Sequence, residues 1–138
     1  MSKRLLMWIN APHAGWLDPA DTPLALATLA VHAANRDLPD ALIGPPELDR
    51  ILARRFDLTR AEASEMRATC EALARAVRSG EELAQLVSCH VPENERRLLA
   101  DCMSAELRGR HPDASRLERT LSARFGLPGQ RGGEYRVN

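Results

Sequence analysis

Hydrophobic periodicity constrains this chain more than any other feature. Apolar residues recur at three- and four-residue steps along nearly its whole length, and no segment alternates apolar with polar residues as a half-buried strand does. Ala, Leu, Arg and Glu dominate. The sequence therefore predicts an all-α domain, a compact bundle of six to seven short helices rather than a long four-helix bundle.

Start and stop signals place the helices. Asp21-Thr22-Pro23 puts a polar cap before a first-turn proline and opens a helix over about residues 22–35. Leu24, Leu26, Leu29, Val31 and a set of alanines cover all its faces, which assigns it to the middle of the bundle. Gly44-Pro45-Pro46 opens a second helix with Leu48, Ile51, Leu52 and Phe56 inward and Arg50, Arg54 and Arg55 outward. Thr59-Arg60-Ala61-Glu62 is a capping box, followed by the stripe Ala63, Met66, Cys70, Leu73 and Val77. Ser79-Gly80-Glu81-Glu82 is a second box, opening a short helix with Leu83, Leu86 and Val87. Pro92 starts a helix bearing Leu98, Leu99, Cys102, Met103 and Leu107. Asp113 caps the last one, with Leu117, Leu121 and Phe125 inside and Gly126 as its stop. The chain divides into a lead-in helix and connector over 1–20, a helical domain over 21–127 and a flexible Gly- and Arg-rich tail over 128–138.

Composition narrows the function. A length of 138 residues fits one domain. Lys+Arg and Asp+Glu are both 19, which excludes a strongly polybasic nucleic-acid binder. Aromatic residues make up only 4%, against base-stacking platforms and an aromatic-lined cofactor pocket. No nucleic-acid partner is expected. No apolar run approaches the roughly 18 residues that cross a bilayer, and Leu5–Ile9 is too short for a signal peptide. The three cysteines, Cys70, Cys89 and Cys102, make no disulfide framework and read as small core fillers, so a cytoplasmic protein is expected.

One internal echo stands out. Leu52-Ala53-Arg54-Arg55-Phe56-Asp57-Leu58 matches Leu121-Ser122-Ala123-Arg124-Phe125-Gly126-Leu127, each ending a helix. Around it the chain resembles the TerB-like family, named for tellurite resistance. The resemblance is carried by Leu26–Ala34, by Arg54–Ala63, by Pro92–Leu99 and by the Phe125-Gly126-Leu127 end, with Arg4–Ile9 similar to a family lead-in helix; it covers about residues 4–128. It implies an all-α bundle of two similar, here degenerate, helical halves. Each half of the family can carry an acidic Asp-Gly turn implicated in divalent-metal binding. Its members are linked to chemical-stress responses, often with membrane-associated partners, and are not established enzymes.

The acidic turns depart from that pattern. Hard divalent ions need roughly six oxygen ligands with several carboxylates converging. In the first half Asp37 matches the family's acid, Leu38 replaces the glycine, and Asp40 and Glu47 could add oxygens; these three form the candidate Ca²⁺ or Mg²⁺ set. In the second half Arg108 and Arg110 stand where acids are expected around Gly109, and Asp113 reads as a helix cap.

Other constellations are sparse. Cys89-His90 has no CxxC or HxxxH partner for zinc. His32, within the all-apolar helix, reads as a buried neutral histidine with one satisfied hydrogen bond, with a base lining a polar pocket as the alternative. Ser104 and Ser115 lack a nucleophile-elbow context, and no phosphate-binding glycine motif is present. All but one of the 19 basic residues are arginine, and Arg50, Arg54, Arg108 and Arg110 are the candidate surface for an anionic partner. Trp8 and Trp16 pin the lead-in helix or, with Lys3 and Arg4, touch a membrane surface. The leading expectation is a non-enzymatic interaction or adaptor module with a protein partner and no cofactor. A divalent-metal sensor and a small-ligand carrier or enzyme near His32 are the alternatives.

Overall fold

The computed structural model describes residues 18–39 and 42–128. Within them lie six α-helices and no strand: α1 (Thr22–Arg36), α2 (Pro45–Phe56), α3 (Arg60–Arg75), α4 (Gly80–His90), α5 (Glu93–Leu107) and α6 (Ala114–Arg124). The expected lead-in helix, Asp40 and the tail from residue 129 lie outside the described residues.

Helix α1 is the axis of the bundle. Every residue from Ala25 to Ala34 is buried, and α2, α3, α4 and α5 all pack on it. Its many alanines keep its surface low, so neighbours approach from several sides without leaving voids. A polar residue inside it is satisfied locally, with Thr28 Oγ1 donating to the Leu24 carbonyl at 2.7 Å. Ahead of it, Asp18 caps a short 3-10 turn, Pro19–Asp21, by accepting from the Ala20 N–H at 2.9 Å.

The capping signals operate as local chemistry. Thr59 Oγ1 accepts from the Glu62 N–H while Glu62 returns to the Thr59 N–H, which fixes the start of α3. Ser79 Oγ accepts from the Glu82 N–H at the start of α4. Asp113 differs from expectation: it stands at the N-cap of α6 but makes no side-chain cap bond, because its carboxylate pairs with Arg116. Val77 lies past the end of α3, and Leu98 is half exposed rather than inward.

The internal echo is one structural device used twice. Asp57 and Gly126 both adopt the left-handed conformation, with φ of 55° and 66°. Leu58 N–H then bonds the Ala53 carbonyl at 3.0 Å, and Leu127 N–H bonds the Ser122 carbonyl at 2.9 Å, in the six-to-one pattern of a Schellman cap. The two ends differ in depth: Phe125 is fully buried, whereas Phe56 only packs against the core from its edge. The chain's halves meet where α2 packs on α5 and where α1 packs on both α4 and α5.

Candidate functional site

Two of the three carboxylates expected to ligate a metal, Asp37 and Glu47, are committed to arginines. Asp37, just past α1, accepts from Arg124 Nε at 2.8 Å and Nη2 at 3.1 Å, a two-pronged pair that ties the end of α6 to the end of α1. Glu47 Oε1 accepts from the Gly44 N–H at 2.9 Å, and its Oε2 accepts from Arg110 at 3.1 Å. Backbone hydrogen bonds at the start of α2, aided by Arg110, hold its carboxyl below the usual range. Among the described residues no group of three or more His, Cys, Asp or Glu gathers to hold a metal ion.

Two sets that the sequence keeps apart meet here. Arg50 donates from Nε and Nη2 to Glu106 at 3.3 and 3.1 Å, and Arg110 reaches both Glu106 and Glu47. One candidate metal ligand and two candidate surface arginines therefore form a single lattice around the buried Glu106. Sequence reasoning missed Glu106; its signal was the helical spacing to Arg110, four residues on. Arg108 pairs with Glu118 at 3.3 Å, and Arg54 is exposed. Arg55 is not outward as expected: it lies over the Phe56 ring, 4.8 Å from its centroid, and pairs with Glu95.

Arginines and prolines frame an open groove of 590 Å³ between α2 and α3. Pro45, Pro46 and Ala53 form an apolar strip, and Asp49, Arg50, Arg60 and Arg67 the polar border. Arg67 is fully engaged, with Nε on Asp49 at 2.6 Å, Nη1 on Glu71 at 3.1 Å and Nη2 on Ser64 at 3.3 Å. Arg60 is exposed and carries no ion pair among the described residues.

His32 lines a smaller cleft of 340 Å³ with Asn35, Arg36, Glu71, Ala74 and Arg75. It is buried as expected, but its Nδ1 has no hydrogen-bond partner. Gly80 closes on this edge of the ring: a Cβ added there would sit 2.6 Å from His32 Cε1 and 3.1 Å from Nδ1. Burial, then Arg36, push its pKa below the ordinary 6.5, with Asp37 opposing.

The cysteines divide. Cys70 is buried and its thiol is pushed up to about 12 by burial, while Cys89 is exposed rather than a core filler. His90 Nδ1 donates to the Leu86 carbonyl at 2.9 Å, so that nitrogen does not join Cys89 in a metal pair.

Comparison with protein-family models, with curated proteins and with solved structures finds no match. Among the described residues no helix is long and apolar enough to cross a membrane.

Proposed function

We propose that the chain is a non-enzymatic, TerB-like interaction module, an adaptor in a chemical-stress assembly, and that it engages a protein partner through the groove between α2 and α3. The observation that carries this reading is Arg60, an exposed guanidinium without an ion pair beside the apolar strip of Pro45, Pro46 and Ala53. Guanidinium stays protonated at any physiological pH, so such a border suits recognition of carboxylate or phosphate rather than proton transfer. The free thiols of Cys70, Cys89 and Cys102 fit a reducing compartment, and with it a cytoplasmic location. The TerB-like assignment rests on the order and spacing of the quoted segments, with the repeated helix cap at Asp57 and Gly126 in support.

The test is site-specific crosslinking in cells that naturally express the chain. A photo-crosslinking residue is placed at Pro46, in the groove, and separately at Arg119, an exposed position on α6. A protein adduct formed from Pro46 and not from Arg119 is the expected result. No adduct from Pro46, or the same adducts from both, would overturn the reading.

A further inference from the structure

The start of α4 rests on an imidazole that has nowhere to put a second proton. His32 is only 9% exposed, and its Nδ1 has no hydrogen-bond partner. Gly80, the first residue of α4, closes on that edge of the ring and brings no side chain to it. A neutral imidazole carries one N–H and an imidazolium carries two. Whichever neutral tautomer is present, the charged ring therefore has an N–H at Nδ1, buried and without an acceptor, which is an unfavourable arrangement.

The surrounding charges do not relieve it. Arg36 and Asp37 stand at the end of α1, Glu71 and Arg75 line the cleft from α3, and Arg124 comes from α6. Both carboxylates are engaged, Asp37 by Arg124 and Glu71 by Arg67. Arg36 and Arg124 oppose a further positive charge on the ring.

Helix α4 is held unevenly. Its far end is fastened, because Ser88 closes on Gly126 and the Val91 carbonyl accepts from Arg96 Nε at 2.9 Å. The cap at its start, Ser79 Oγ on the Glu82 N–H, is local to α4 and does not tie that turn to the bundle. What holds the first turn down is its packing on α1, with Leu83 fully buried. Helix α1 cannot yield in its place, since all its residues over 25–34 are buried. Lifting the first turn of α4 is the smallest movement that lets water reach Nδ1.

We infer that residues 80–83 form an acid-released latch: protonation of His32 favours detachment of the first turn of α4 from α1, which uncovers Leu83 while the other helices stay packed. In the released state the ring returns to an ordinary affinity for protons, so release grows as pH falls below 6.5.

The test is native-state hydrogen exchange on the full chain at pH 7.5 and 5.5, in low concentrations of urea, with protection expressed relative to the unstructured rate at each pH. The amides of residues 80–83 should be less protected than those of α1 and nearly insensitive to urea, as for an opening that exposes little surface. Their protection should fall by up to about tenfold at pH 5.5, the limit for a group that takes its proton only when open, one unit below 6.5. In His32→Gln that fall should vanish, although His90, at the far end of the same helix, is still present. Should this variant not fold, NMR titration of the parent protein decides: the amide signals of residues 80–83 should shift with the pH midpoint of the His32 ring. Protection and urea dependence equal to those of α1 would mean that the turn opens only by global unfolding, and would overturn the inference. So would protection at residues 80–83 that ignores pH, a fall that persists in His32→Gln, or a midpoint different from that of the His32 ring.

Discussion

Arg96 Nη1 donates to the carbonyl oxygen of Phe125 at 2.6 Å. The same nitrogen reaches the Gly126 carbonyl at 2.8 Å, and Nε reaches the Val91 carbonyl at 2.9 Å. A buried guanidinium on α5 therefore completes the C-terminal end of α6, where carbonyls lack helical partners and the helix dipole is negative. Gly126 is required in this arrangement: its φ is 66°, and a Cβ there would lie 2.2 Å from Ser88 Oγ.

Replacing Arg96 leaves the buried Val91 and Phe125 carbonyls without this donor, the condition under which hydrogen bonds matter most. Arg96→Met should lower unfolding free energy by about 3 kcal/mol. Arg97→Met, one residue on and paired to Glu93 at the surface, should cost under about 0.5 kcal/mol. Urea denaturation of both variants checks the contrast, and similar losses would remove Arg96 from its keystone role.

The approach of Gly80 to His32 makes a second prediction. Gly80→Ala forces a methyl group into the imidazole and should destabilise by about 2 kcal/mol, despite alanine's better helix propensity. In a double-mutant cycle with His32→Ala the two losses should fail to add by more than about 0.5 kcal/mol, because the smaller side chain makes room. Strict additivity would mean that the two residues do not press on one another.

His32 also sets a pH dependence. Its folded pKa is lowered by burial and by Arg36, so between that value and the unfolded 6.5 the unfolded chain binds more protons. Stability then rises with pH across this window; it is complete above 6.5 and declines as pH falls below it. Carboxylates titrate near pH 4, so the slope from pH 7.5 to 5.5 belongs to histidines, and the difference between the parent protein and His32→Leu isolates this one of the four. Urea midpoints of the parent protein should fall over that range, and those of His32→Leu should stay flatter. Parallel slopes would assign the effect elsewhere.

Asp37 acts as the partner of Arg124, and removing its charge should show this without any metal. Asp37→Asn should cost about 1 kcal/mol, the scale of a partly buried two-pronged pair. The loss should be equal in millimolar Ca²⁺, in Mg²⁺ and in chelator. A saturated metal site would instead add about 2.7 kcal/mol at 100 times its dissociation constant. A chelator-reversible gain in the parent protein that disappears in Asp37→Asn would show that this carboxylate binds metal after all.

The helices were legible because their signals are local. The proline and capping-box starts of α1 to α3 depend on residues three or four positions apart, and α1 runs Thr22–Arg36 where the pattern placed about 22–35. The echo of Leu52–Leu58 in Leu121–Leu127 likewise marks a cap that each segment builds from its own backbone. Burial was legible less evenly: Leu98 and Cys89 sit at apolar spacing yet are exposed, since periodicity identifies a stripe and not the width of the face that neighbours cover.

The roles of the charged residues were decided by packing alone. Glu47 looked like a metal ligand and Arg110 like a free surface charge, but they are partners across 63 residues of chain; Asp37 and Arg124 are partners across 87. Arg96 reads in sequence like any surface arginine next to Arg97, and burial makes it the cap of another helix. Helix formation is written in spacing along the chain, whereas an ion's partner and its strength depend on distance and dielectric between elements that only the folded bundle brings together.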